Sequence, residues 1–251
     1  MELVSIIIAA YNCKDTIYAT VESALSQTYK NIEIIICDDS STDDTWDIIN
    51  KIKDSRIICI KNNYCKGAAG ARNCALKIAK GRYIAFLDSD DYWVTTKISN
   101  QIHFMETEKV FFSYSNYYIE KDFVITGVFS SPPEINYGAM LKYCNIACST
   151  VILDRTGVKN ISFPYIDKED YALWLNILSK GIKARNTNLV DTYYRVHAGS
   201  VSANKFKELI RQSNVLKSIG IKAHHRIICL FYYAINGLIK HCFSYRDKRN
   251  A

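Results

Sequence analysis

Residues 4–45 read VSIIIAAYNCKDTIYATVESALSQTYKNIEIIICDDSSTDDT. Two runs in it, Val4–Ala10 and Ile32–Cys37, are β-branched and almost wholly apolar, the composition of strands covered on both faces. Between them Asp15–Gln27 has helical character, with Asp15 as a candidate N-cap. Each apolar run stops on polar residues, Tyr11-Asn12 after the first and Asp38-Asp39-Ser40-Ser41 after the second. The pattern repeats outward. Arg56–Lys61 and Tyr83–Leu87 predict two more strands; Thr42–Lys53, Ala69–Lys80 and Val94–Glu108 predict helices, with Ser41 or Thr42 as the cap of the first. Such alternation predicts an α/β fold: a Rossmann-like, mostly parallel sheet with right-handed crossovers and helices on both faces. Ligands of these sheets lie beyond the carboxyl ends of the strands. The fourth strand ends in Asp88-Ser89-Asp90-Asp91, a third polar cluster for the same rim.

The second half is less regular. Val110–Glu120 and Val124–Ser130 predict antiparallel strands, Asn136–Cys144 a short helix, Ala147–Asp154 a strand, Lys168–Lys180 a helix and Ala184–His197 an extended segment. We divide the chain into residues 1–202, with a nucleotide-binding half (1–91) and an acceptor half (92–202), and a basic, helical C-terminal extension (203–251). The net charge of +7 sits in that extension, where ten Lys and Arg stand against Glu208 and Asp247, and the body sums to −1. A body without a basic face argues against nucleic-acid binding. The nine cysteines include no CxxC pair, and several lie in apolar runs, which reads as a reducing, cytoplasmic compartment without a zinc ribbon. The start Met1-Glu2 runs straight into the first strand with no basic n-region, so no signal peptide is expected.

Three carboxylates within four residues, Asp88, Asp90 and Asp91, repel one another, and a hard divalent cation shared with diphosphate oxygens offsets such a cluster. The competing reading is a solvated acidic turn that caps the next helix. Asp38 and Asp39 allow the same two readings, capping or a hydrogen bond from the imide N–H of a uracil or thymine. Gly67-Ala68-Ala69-Gly70-Ala71-Arg72-Asn73 is neither a Walker loop nor G-x-G-x-x-G. Its small residues still let backbone approach an anion, and Arg72 adds a fixed guanidinium fork.

The succession VSIIIAAYN (4–12), SQTY (26–29), IEIIICDDSSTDDT (32–45), G-x-x-x-A-R-N (67–73), GRYIAFLDSDD (81–91), KED (168–170) and Y-R-V-H-x-x-S-x-S (194–202) resembles glycosyltransferase family 2. The resemblance covers about residues 3–202 and implies a GT-A fold and an inverting, nucleotide-sugar-dependent glycosyltransferase of the bacterial surface-polysaccharide type. It implies that Ala9 and Tyr11 contact the base, that Asp38 and Asp39 belong to the nucleotide site with Asp39 on the imide, and that Arg72 supports the nucleotide. Asp88 and Ser89 would lie at the ribose or donor sugar, and Asp90 would bind Mn²⁺ or Mg²⁺. Asp170 would be the catalytic base, with Glu169 and Trp174 at the acceptor. His197 would reach the metal or diphosphate, or else be a packed structural histidine. Two departures stand out: Ala9-Ala10 where the family has Pro with Thr or Ala, and Ser40 where it has Gly.

The implied substrates are a nucleotide sugar, by resemblance a UDP-hexose or UDP-N-acetylhexosamine, and a glycan or polyprenyl-diphosphate-linked saccharide in O-antigen, capsule or lipooligosaccharide synthesis. One metal and one base would give direct displacement with inversion. Competing classes are a nucleotidyltransferase, which wants a Gly-rich loop where Tyr11-Asn12-Cys13-Lys14 stands, and a non-catalytic nucleotide-sugar-binding protein. In the extension, Ile227, Phe231, Ala234, Leu238 and Cys242 form a stripe at helical spacing, widened by Ile228, Ile235 and Ile239 and flanked by basic residues. The apolar run Ile227–Ile235 is too short to span a bilayer. The stripe suits peripheral contact with the cytoplasmic face of the inner membrane, or packing on the domain or across a homodimer.

Overall fold

A computed structural model describes residues 1–196 and 205–243 of the protein. The N-terminal part alternates β1 (Val4–Ala10), α1 (Ile17–Leu25), β2 (Ile32–Asp38), α2 (Thr45–Lys51), β3 (Ile57–Lys61), α3 (Ala68–Ile78) and β4 (Tyr83–Phe86). These four strands lie parallel in the order β3-β2-β1-β4, with Val4 opposite Ile32 and Ala10 opposite Asp38. Next come β5 (Tyr92–Trp93), α4 (Lys97–Glu108), β6 (Phe112–Lys121), β7 (Val124–Phe129), β8 (Glu134–Ile135) and α5 (Tyr137–Lys142). The chain continues through β9 (Ile152–Asp154), α6 (Glu169–Leu178), β10 (Ala184–Arg195), α7 (Lys205–Ser218) and α8 (Ala223–Phe243). The sheet continues from β4 as β9-β6-β10-β5, with β7 on β6 and β8 on β10. β9 runs antiparallel to both β4 and β6, β10 is parallel to β6, and the hairpin β6–β7 is antiparallel as its sequence predicts. The parallel arrangement therefore holds for residues 1–91, and the sheet becomes mixed beyond β4.

Alternate side chains of the central strands feed two apolar clusters on opposite faces. Ile6, Ile8, Ile34, Ile36 and Ala85 pack with α1 and α4 through Ile17, Val21, Ile98 and Ile102. Ile7, Ile35, Ile84 and Phe86 pack with α3 and α6 through Ala71, Ala75, Trp174 and Leu175. This two-sided burial is why the strands read as continuous apolar runs. Val215 and Leu216 of α7 and Cys229 of α8 are buried in the second cluster, so the extension packs on the body. Its outer face leaves Ile227, Ile228, Phe231 and Tyr232 exposed. Leu238, Ile239 and Cys242 of the expected stripe have side chains outside the described residues. No helix among the described residues is long and apolar enough to cross a membrane.

Several local expectations change. Thr16, not Asp15, precedes α1, and its hydroxyl donates to the Ser89 carbonyl at 2.8 Å. Asp44 precedes α2, while Ser41 and Thr42 clamp the loop after β1: Asn12 N donates to Ser41 Oγ at 3.0 Å and Thr42 N to Asn12 Oδ1 at 2.8 Å. The polar residues after β2 bind the neighbouring strand's loop, and α2 starts three residues later. Cys148–Thr150 forms a 3-10 turn before the short β9, because Thr150 Oγ1 donates to the Ala147 carbonyl at 2.7 Å and Ser149 is drawn to Asp91.

Ser40 has φ of 63°, the left-handed region that costs an L-residue about 1–2 kcal/mol and glycine almost nothing. Ser40→Gly should raise stability by roughly 0.5–1 kcal/mol after the extra chain entropy of glycine is subtracted. Leu216→Ala should cost about 2–5 kcal/mol, because α7 is part of the core. Urea denaturation of both variants checks the two values.

Candidate active site

Two cavities open on the carboxyl rim of the parallel strands. One, of about 710 Å³, is lined by Ala9, Tyr11, Asp39, Gly67, Arg72, Asp88, Ser89 and Asp90. The other, of about 1120 Å³, shares Lys66, Gly67, Arg72, Asp88 and Asp90 and continues to Glu169, Asp170, Tyr194, Arg195 and Arg211. The parallel register makes this convergence: β1, β2 and β4 all end at the same rim.

The loop before α3 is shaped by glycine. Gly67 has φ of 115°, and its N–H donates to Asp39 Oδ2 at 2.7 Å. At Gly70 a Cβ would stand 1.7 Å from the Cys65 carbonyl oxygen, so only glycine lets α3 come this close to the cavity loop. Asp39 also accepts from Asn62 Nδ2 at 2.6 Å, which orients its carboxylate from the end of β3. Asp38, in contrast, lines neither cavity. It is buried and accepts from Ser41 N at 3.2 Å, because the next residue in an extended strand faces the other way. Its expected place in the nucleotide site is therefore corrected to support of the loop.

Arg72 joins the two cavities. Its Nη2 donates to Asp88 Oδ1 at 2.6 Å and its Nη1 to Glu169 Oε1 at 2.5 Å. The guanidinium lies over the Phe163 ring, 5.2 Å from its centroid. The backbone of Phe163 is in turn fixed by the Asn73 side-chain amide, whose Nδ2 donates to the Phe163 carbonyl and whose Oδ1 accepts from the Phe163 N–H, each at 2.8 Å. Trp174 does not line the acceptor side: it is fully buried against Phe112, Phe86 and Phe163. It lies one helical turn beyond Asp170, on a face that begins in the cavity and ends in the core. Its contact with Phe163 makes it backing for the ring under Arg72.

Environment separates the three neighbouring carboxylates. Asp88 is paired with Arg72. Asp90 lines both cavities. Asp91 is buried, accepting from Ser149 Oγ at 2.6 Å and from Arg195 N at 3.0 Å. Burial, then the charges of Asp90 and Asp88, push Asp91 well above the usual carboxylate range. Asp91 thus ties β10 and the 3-10 turn to the end of β4, a role nothing in the acidic motif distinguished. Arg195 is held by Glu120, 3.0 Å from its Nε, and stacks on Tyr92.

Asp170, in the first turn of α6, is pushed up to about 6 by burial and then by the charge of Glu169, with Arg72 opposing. It lines the larger cavity with Asp88 and Asp90. A carboxylate poised near 6 is mostly ionised at neutral pH yet holds a proton more tightly than an ordinary carboxylate, the condition under which it accepts a proton efficiently. Among the described residues no three His, Cys, Asp or Glu side chains form a metal cage. Asp90, which lines both cavities, fits an ion that substrate oxygens complete, rather than one held by protein alone. His197 lies outside the described residues. The sequence reading assigned no role to Lys66, Tyr194 or Arg195, although Tyr194 and Arg195 belong to a recognised motif, or to Arg211, whose charge it counted with the extension.

A family model described as Glycosyl transferase family 2 matches residues 5–157. The chain belongs to glycosyltransferase family 2. It is 47% identical over 246 residues to the Escherichia coli protein named UDP-Glc:alpha-D-GlcNAc-diphosphoundecaprenol beta-1,3-glucosyltransferase WfgD, covering 98% of this chain and 97% of that one. It is 40% identical over 210 residues to TuaG of Bacillus subtilis, named for teichuronic acid biosynthesis, covering 82% and 83% of the two chains. The structure of S. aureus TarS residues 1–349 with UDP-GlcNAc superposes with a TM-score of 0.67 at 19% identity, over 98% of this chain and 74% of that one. The GT-A fold and a transferase activity follow, and the nucleotidyltransferase and non-catalytic readings fall away.

Arg72→Ala would strand two partly buried carboxylates and should cost about 3–5 kcal/mol. Trp174→Phe should leave a smaller defect that also loosens Arg72. Thermal unfolding of the two variants measures both.

Proposed function

We propose that this glycosyltransferase moves a hexose or N-acetylhexosamine from a UDP-sugar to a hydroxyl of a lipid-diphosphate-linked saccharide in surface-polysaccharide synthesis, with inversion at the anomeric carbon. The observation that carries this reading is the meeting of the two cavities at Arg72, Asp88 and Asp90, with Asp170 in the wall of the larger one. WfgD, named for a UDP-glucose donor and a GlcNAc-diphosphoundecaprenol acceptor, supports the substrate classes.

On this reading the smaller cavity takes the nucleotide. Tyr11, about half exposed with Lys66 Nζ 5.0 Å from its ring centroid, offers a face to the base. Asp39, held by Gly67 and Asn62, accepts the uracil imide N–H, and Ala9 leaves room for the ring. Asp88 and Ser89 lie at the ribose and donor sugar. Asp90 would hold Mn²⁺ or Mg²⁺, which when bound offsets charge on the departing diphosphate. Arg72 holds Asp88 and Glu169 in place, so that the donor and acceptor sides keep a fixed separation. Asp170 removes the proton of the acceptor hydroxyl as that oxygen attacks the anomeric carbon. The exposed Ile227, Ile228, Phe231 and Tyr232, with Lys222 and Arg226 beside them, favour peripheral contact of α8 with an anionic membrane. Co-sedimentation with vesicles tests that contact; dimerisation without vesicle binding would give the face to a second copy instead.

UDP release from UDP-glucose and UDP-N-acetylglucosamine, with an α-GlcNAc-diphosphate-lipid as acceptor and Mn²⁺ present, tests the main reading, and the product linkage should be β. Turnover with equal rate on an unrelated free sugar would contradict it. Asp90→Ala should abolish metal-dependent turnover and weaken Mn²⁺ binding in the presence of UDP, as calorimetry would show.

Asp170→Asn should lower kcat by roughly 10²–10⁴ with UDP affinity unchanged. In the wild type the rate should rise with pH through about 6, the value to which Asp170 is pushed, and then level off. The stability effect has the opposite sign. A carboxyl whose folded pKa lies above its unfolded value favours folding fully below about pH 4, and that benefit is lost as pH rises through about 6. Asp170→Asn should therefore melt at or above the wild-type temperature at pH 8. Turnover and melting temperature on one preparation separate a catalytic role from a structural one.

A further inference from the structure

α7 supplies Glu208 and Arg211 to the larger cavity and nothing to the smaller one. The helix is fixed in place from below. Val215 and Leu216 are fully buried, and Gln212 Oε1 accepts from Lys168 Nζ at 3.0 Å. Glu208 then holds two cations side by side: its Oε1 accepts from Arg211 Nη1 at 3.1 Å, and its Oε2 lies 3.3 Å from Lys168 Nζ. Lys168 stands two residues before Asp170, in the left-handed region with φ of 57°, and its amine also donates to Tyr233 of α8 at 3.2 Å. Arg211 Nε also lies 3.7 Å from Asp167, whose side chain is 66% exposed. A contact that long and that exposed is screened and readily exchanged.

We propose that Lys168 and Arg211 form a binding station for the diphosphate of the acceptor, with Asp167 giving way to it. The proposal rests on the lipid-diphosphate reading of the acceptor above. A sugar diphosphate ester of a lipid carries one negative charge on each phosphate, which suits an ammonium and a guanidinium held next to each other. The guanidinium fork can take two oxygens of one phosphate at once. Placement gives the direction: the hydroxyl that reacts must reach Asp170, and the diphosphate hangs from the other end of the same sugar. Both cations belong to the wall that contains Asp170, and neither lines the cavity with Asp39 and Tyr11.

The test uses the full chain saturated with UDP and Mn²⁺, so that the donor site is filled, and titrates geranyl diphosphate, geranyl monophosphate and geraniol by calorimetry. The diphosphate should bind at least about tenfold more tightly than the monophosphate, and geraniol should not bind. Arg211→Ala should weaken the diphosphate by about tenfold or more, and Arg211→Lys by less, since the charge remains and the fork is lost. The Kd for UDP should change by less than about twofold. Equal weakening of UDP and geranyl diphosphate would assign Arg211 to the donor and overturn the proposal. So would unchanged geranyl diphosphate binding in both variants, or geraniol binding as well as the diphosphate. Arg211→Lys keeps the contact with Glu208, so it remains informative if Arg211→Ala fails to fold. Turnover of a diphosphate-linked saccharide with the same KM in wild type and Arg211→Ala overturns the station alone. Absence of wild-type turnover on every diphosphate-linked saccharide overturns the acceptor reading itself.

Discussion

Arg72 is the constraint on which the site depends. Its fork spans Asp88, just past the end of β4, and Glu169, in the first turn of α6. A buried guanidinium must be paired on both branches, because leaving either uncompensated costs more than the pair contributes. The two halves of the cavity are thus held at a separation set by one side chain. Phe163 carries that side chain, and Trp174 carries Phe163. A core tryptophan that touches neither cavity therefore fixes the geometry of the rim above it.

The acidic motif shows how burial sorts chemically equal groups. Asp88, Asp90 and Asp91 follow one strand, yet one is paired, one lines the cavities and one is buried as a bracket. The bracket has a cost at Asp91: its charge is disfavoured by burial and then by the two carboxylates beside it, while Ser149 and the Arg195 amide offset part of that. Asp170 is likewise raised by burial and then by Glu169, and lowered by Arg72. Proton-accepting strength and structural pairing are thus coupled through Arg72.

Much of this was legible in the chain. The first four strands and the rim at their carboxyl ends follow from apolar runs that stop on Tyr11-Asn12, Asp38-Asp39 and Asp88-Ser89-Asp90, because two-sided burial leaves a local signature. What was not legible came from tertiary bonds between residues far apart in sequence. Ser41 and Thr42 have the composition of caps, but Asn12 of the neighbouring loop claims them. The family resemblance puts Trp174 at the acceptor, but the helix enters the core within a turn. Asp38 and Asp39 are adjacent in sequence and equal in chemistry, and only the strand alternation sends one inward. Ser149 carries no signal at all, since its role is set by Asp91, 58 positions away.

The extension illustrates the limit of reading charge by segment. Summed over residues 203–251 its lysines and arginines look like one solvated or membrane-facing feature. The fold divides them by helix face. α7 inserts Val215 and Leu216 into the core and, one to two turns earlier on the same side of the helix, sets Glu208 and Arg211 in the cavity wall. α8 buries Cys229 and exposes Ile227 and Phe231. Tyr233 meets Lys168, so the helix with the exposed apolar face also touches the residue that leads into Glu169 and Asp170. An apolar surface on α8, the cations Lys168 and Arg211, and Asp170 thus lie on neighbouring elements at one end of the larger cavity. That order matches a molecule that is apolar at one end, doubly charged in the middle and a sugar at the other.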